Sequence, residues 1–162
     1  MRSWRRRRKW FKGKAKEKMA TVLCVIDVQE KFSAAKFVVP EVVHQINLAR
    51  KRKAGVLIVE YGNDPSYEEV YNALKGYKDW MVVKKDDDDG SMEIMHAMDK
   101  NPIYRGHKVR VCGVNACACV QATAIGLHDS GLFSKIEIAE AATNCTHGNS
   151  DNCVAGLLEK LK

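Results

Sequence analysis

Two cysteines, Cys117 and Cys119, stand where a run of β-branched residues gives way to helical spacing, and far upstream another apolar run ends in an acid, Asp27. These residue types can do chemistry together. A carboxylate can take the proton of a thiol, the sulfur can attack an electrophilic carbon, and backbone N–H groups at a helix start can hold the oxyanion that results. In KVRVCGVNACACVQATAIGLHDSG, residues 108–131, Val109, Val111 and Val114 predict a buried strand closed by Gly113. From Ala116 the pattern turns helical through Cys119, Val120, Thr123, Ala124 and Leu127, with Gly131 as the stop. A thiol in that first turn faces unpaired N–H groups and the positive end of the helix dipole, which favour the thiolate. The plainer use of such a cysteine, and the commoner one, is as a small buried hydrophobe.

Partners for the thiol come from the ends of other predicted strands. TVLCVIDV, residues 21–28, reads as a central strand with Asp27 at its carboxyl end, where ligands bind in open α/β sheets. The alternative role for Asp27 is a cap for the loop that follows, 29–33. Trp80 to Val83 predicts a third strand that gives way to Lys84 and Lys85. Because the carboxyl ends of neighbouring parallel strands converge, Asp27, Lys84 or Lys85, and Cys119 can share one pocket. The ammonium would then stabilise the thiolate and hold the carboxylate in place.

The remaining elements must build that sheet. A helix is expected from Pro40, with Val42, Val43, Ile46 and Ala49 on one face, and a strand over Gly55 to Tyr61. Ser66 is placed to cap a short helix with Glu69 at the capping-box position, and Ser91 to cap SMEIMHAMDK, whose Met92, Met95 and Met98 form an apolar face. DDDDGS, residues 86–91, reads as loop and cap, since four consecutive acids lack the alternation of an EF-hand. Ile136 to Ala139 is the last strand, and Asn149 or Ser150 caps the last helix. Alternating strands and helices predict a three-layer α/β/α fold, Rossmann-like, with a mostly parallel sheet of five or six strands.

The net charge of +7 is concentrated at one end. Residues 1–18 hold ten Lys or Arg against one Glu, so the remaining chain is nearly neutral, with 17 basic and 19 acidic residues. This arm, with Trp4, Trp10 and Phe11, can stick to nucleic acid or an anionic membrane, or be a solvated tail; residues 19–162, opening on Met19, form one domain. The six cysteines lie mostly in apolar elements and are read as reduced. A zinc site is not expected, because Cys117 and Cys119 have no second close pair. Apolar runs are strand-sized and none follows the arm as a secretion signal would require, so no transmembrane segment and a cytoplasmic location are expected.

VLCVIDVQEKF resembles the opening strand and acid of the isochorismatase-like cysteine hydrolases, the family that includes nicotinamidases, and GVNACACVQATAIGLHDSG resembles their nucleophile segment. VVKK resembles their lysine-bearing strand. The resemblance runs from about Thr21 to Lys162. It implies hydrolysis of a small amide through a Cys thioester, with Asp27 as general base, Cys119 as nucleophile and a lysine partner. Counting back from the following loop favours Lys85, and counting strand residues favours Lys84; Lys85 is preferred. It also implies a cis peptide at Val114 to Asn115, oxyanion donors at Asn115 and Cys119, and a homo-oligomer. Nicotinamidases hold a metal through an Asp and two His, whereas YGNDPSYEE offers only Asp64, so no metal and no cofactor are expected. Two rival readings stand: an isochorismatase-type hydrolase that needs no covalent intermediate, and a non-catalytic binding protein on the same scaffold.

Overall fold

The structure is a computed structural model that describes residues 21–101, 108–145 and 150–162. The basic arm and Asn149 lie outside the described residues. Strand β1 (Thr21–Ile26) is followed by helix α1 (Ala35–Lys51), β2 (Val56–Tyr61), α2 (Glu68–Leu74) and β3 (Trp80–Lys85). Then come α3 (Ser91–Lys100), β4 (Lys108–Val114), α4 (Cys119–Asp129), β5 (Lys135–Asn144) and α5 (Ser150–Lys160). The five strands are all parallel and lie in the order β3-β2-β1-β4-β5.

This sheet is covered on both sides, which is why its inner strands read as unbroken apolar runs. Val22, Cys24, Ile26 and Val59 face a layer made by α3, α4 and α5, while Leu23, Val25 and Ile58 face α1 and α2. The chain winds outward in both directions from β1 and β4, so the strand order reverses between these two neighbours. A crevice at their carboxyl ends follows from that reversal.

Three local expectations are corrected. Helix α1 begins at Ala35 rather than Pro40, and Pro40 lies inside it. Ala35, Val38 and Val39 extend the buried stripe of Val42, Ile46 and Ala49 upstream, and that burial outweighs the backbone hydrogen bond Pro40 cannot make. Neither Ser66 nor Ser91 caps a helix through its side chain. Tyr67 and Gly90 hold the N-cap positions, and Asp89 Oδ1 instead accepts the Ser91 N–H at 2.8 Å. The last strand is also longer than Ile136 to Ala139, because an irregularity opposite Val111 and Gly113 lets pairing resume at Thr143 and Asn144. Among the described residues, no helix is long and apolar enough to cross a membrane.

Gly113 lets β1 and β4 meet at the crevice. Its φ is +121°, and a Cβ there would stand 2.0 Å from the carbonyl oxygen of Ile26. Gly113→Ala should therefore cost at least about 2 kcal/mol. Denaturant unfolding checks this, and an alanine variant of unchanged midpoint would show that the two strands do not approach so closely.

Candidate active site

Asp27 sits one residue past β1, turned out of the strand by a φ of +52° that side chains other than glycine seldom adopt. Its N–H remains bonded to the Val59 carbonyl at 2.9 Å, and its own carbonyl accepts the Gln29 N–H at 2.8 Å. Gln29, also buried, zips the ends of β1 and β2 together. Its Oε1 accepts the Tyr61 N–H at 2.9 Å, and its Nε2 donates to the carbonyls of Tyr61 and Asp64 at 3.2 and 2.5 Å.

Strand alternation decides which lysine reaches Asp27. Val83 and Lys85 point to the α3–α4 side of the sheet, and Lys84 points to the other. Lys85 Nζ stands 3.0 Å from Asp27 Oδ2 with both side chains fully buried, whereas Lys84, half exposed, pairs with Glu60 at 2.6 Å. Lys85 also donates to the carbonyl of Asp87 at 2.8 Å and lies 4.8 Å from the centre of the Tyr61 ring, a cation–π contact. Gly90 packs against the lysine stem so closely that a Cβ would come within 2.8 Å of Lys85 Cδ.

Cys119 is the first residue of α4 and is only 4% exposed. The turn before it contains a cis peptide between Val114 and Asn115 and closes on the Asn115 carbonyl, which accepts the N–H groups of Ala118 and Val120 at 3.1 and 3.0 Å. The structure thus brings Asp27, Lys85 and Cys119 together, with Asn115 in the same turn, and leaves Lys84 on the far face. Cys117 belongs elsewhere: it is disulfide-bonded to Cys153, contrary to the expectation that all six cysteines are reduced. Spacing along the chain could not reveal a bridge between residues 36 positions apart.

The electrostatics correct a second expectation. Burial is the main effect pushing the Cys119 thiol up to about 12, and the Asp27 carboxylate adds to it; Lys85 opposes them, and Asp88 raises the thiol further. Desolvation and two facing acids outweigh the helix dipole, so the resting group is a thiol and not the thiolate read from the helix start. Burial likewise holds the Asp27 carboxyl above its ordinary value, against the pull of Cys119, Lys85 and Lys31. Lys85 pairs with Asp27 by charge rather than by an aligned hydrogen bond, and neither carboxylate oxygen has an aligned donor among the described residues. That leaves Asp27 able to accept a proton.

Asp88, which the sequence places in a loop and cap, stands against the sulfur. Its Oδ1 lies 3.4 Å from Cys119 Sγ, and Thr123 anchors the loop by accepting the Gly90 N–H at 3.0 Å and donating to the Asp88 carbonyl at 3.3 Å. The signal was its place three residues past Lys85, in the loop at the carboxyl end of β3. A surface groove of about 500 Å³ between α1 and α2, lined by Lys36, Val43, Tyr67 and Asn72 among others, shares no residue with this site.

A metal site of the kind nicotinamidases hold after the second strand does not fit these residues. Asp64 is exposed and paired with the Lys31 ammonium at 3.1 Å, and no His accompanies it in YGNDPSYEE. Among the described residues, the one grouping of three potential ligands is Cys117, Cys145 and Cys153.

No family model and no curated protein sequence matches the chain. Solved structures do. The nicotinamidase from Staphylococcus aureus superposes with a TM-score of 0.73 at 15% identity, covering 87% of this chain and 95% of that one. An isochorismatase-like hydrolase from Alkaliphilus metalliredigens gives 0.72 at 13% identity over 89% and 92%. The MAR1 ribonuclease from Caenorhabditis elegans gives 0.73 at 18% identity over 90% and 76%. By fold, then, this chain falls with the nicotinamidases and isochorismatase-like hydrolases.

Alkylation tests the charge state of the sulfur. Iodoacetamide should modify Cys119 slowly near neutral pH, and Asp27→Asn should speed the reaction by removing a carboxylate that raises the thiol. Peptide mass spectrometry follows it; a rate no faster in Asp27→Asn would contradict the electrostatics described.

Proposed function

We propose that the protein is a cysteine hydrolase of small amides, in which Cys119 is the nucleophile, Asp27 the general base and acid, and Lys85 the cation that holds Asp27. The observation that carries this reading is the meeting of a thiol with a buried carboxylate–ammonium pair at the point where the strand order reverses. The similar structures support the coarser part of it, a hydrolase of this fold.

Attack begins with the thiol. Asp27 takes the proton from Cys119 as the sulfur adds to the amide carbon, so the high thiol pKa is met by proton transfer in the same step. The N–H groups of Asn115 and Cys119 are assigned to the oxyanion. The tetrahedral adduct collapses to a thioester as the amine leaves with the proton held by Asp27. Water then gives a proton to Asp27 and adds to the thioester carbon. The acid is released, and the proton returns to the sulfur. The Lys85 ammonium, 3.0 Å from Asp27 Oδ2, favours the charged form of the carboxylate against its burial.

An ammonia-release screen over small amides, nicotinamide included, tests the assignment. On any amide that is turned over, Cys119→Ala should lose roughly 10³-fold or more and Asp27→Asn roughly 10²- to 10⁴-fold. Rapid acid quenching should trap a covalent adduct on Cys119. Full turnover in Cys119→Ala would favour chemistry without a covalent intermediate, and both variants at wild-type rate would end the proposal.

The two lysines separate cleanly. Lys85→Met should abolish turnover, while Lys84→Met should keep it, since Lys84 serves Glu60 on the opposite face. Because Asp27 must be ionised and its pKa is raised above 3.8, kcat/KM should climb with pH through a point above that value. An acidic limb at or below it would assign the base to another group.

A further inference from the structure

Three cysteines converge outside the Asp27–Lys85–Cys119 site. Cys117 lies in the turn between β4 and α4, Cys145 follows β5, and Cys153 is in the first turn of α5. Their sulfurs all lie within 4.8 Å of one another. Cys117 and Cys153 are joined with Cα atoms 5.2 Å apart, and Cys145, buried, is outside the disulfide.

A disulfide uses two sulfurs and gives no reason for a third to be brought in from another element. The convergence also does not depend on the S–S bond. Val114 pairs with Asn144 in the β4–β5 ladder, and the Ala116 N–H donates to the Asn144 carbonyl at 2.9 Å, so the backbone itself sets Cys117 beside Cys145. Three thiolates on a tetrahedral zinc, with bonds of about 2.3 Å, stand about 3.8 Å apart. The cluster needs only small side-chain rotations to reach that spacing once the bridge is opened. Cys117 is exposed, so an ion can enter from solvent and keep water in its fourth position.

We propose that Cys117, Cys145 and Cys153 form a site for one thiophilic divalent ion of the zinc type, available when the disulfide is reduced and closed when it forms. A dithiol reductant delivers two electrons and two protons to the S–S bond and itself becomes a disulfide. The three thiols then release three protons as the ion makes three metal–sulfur bonds. The ion would tie the start of α5 and the end of β5 to the turn that leads into Cys119. None of this rests on the amidase reading.

The test uses the full chain carrying Cys119→Ala, so that the candidate nucleophile cannot contribute, reduced and then freed of reductant under anaerobic conditions. Cadmium is titrated in and read by its thiolate charge-transfer absorption in the ultraviolet. Binding should saturate at one ion per chain with the amplitude of three thiolates. Adding Cys117→Ser or Cys145→Ser should weaken binding by about tenfold or more and remove about a third of the amplitude, and the oxidised chain should not bind. Circular dichroism establishes that each variant is folded, and the exposed Cys117 position gives the substitution least able to disturb the core. No equimolar absorption in the reduced chain, full amplitude with Cys145→Ser, or equal binding by the oxidised chain would each overturn the proposal.

Discussion

Asp27 and Lys85 hold opposite charges 3.0 Å apart with neither side chain reaching solvent, and the open end of the sheet is arranged around that constraint. Removing both ions from water costs several kcal/mol each, which their attraction offsets only if the geometry is kept. The surroundings keep it. Gln29 fastens β1 to β2, Gly90 leaves room for the lysine stem, the carbonyls of Asp87 and Asp88 receive the ammonium, and Tyr61 lays its ring against it. The thiol of Cys119 is placed beside a carboxylate that burial has already made more basic, which is the condition for a proton to move between them.

The strands were legible because burial on both faces leaves continuous β-branched runs, and because glycines mark where the chain must turn; their order in the sheet was not. The site was legible in part. Asp27 stood out as an acid ending an apolar run, and Cys119 as a thiol at a helix start. Counting along the chain could not choose between Lys84 and Lys85, because that choice depends on which face the register gives to each. The Cys117–Cys153 bridge and the approach of Asp88 to the sulfur are contacts between distant segments, and no local pattern encodes them. The thiolate expected at the helix start was overturned for a similar reason, since the burial and the facing acids that oppose the dipole come from other elements.

One architecture carries, among the structures it resembles, both a nicotinamidase and a ribonuclease. Fold therefore does not select the substrate, and the functional argument has to come from side chains. Here the side chains at the crevice are a buried acid paired with an ammonium, and a thiol whose titration that acid raises, whereas Asp64, in the segment after the second strand, is paired with Lys31.

The acidic loop over Cys119 bears on how a turnover would finish. Asp86, Asp87, Asp88 and Asp89 follow Lys85 without interruption, and Asp88 leans over the sulfur. A neutral amide can pass such a barrier with little electrostatic cost. On the proposed hydrolysis, the carboxylate product would be repelled from the site by like charge, which weakens its rebinding.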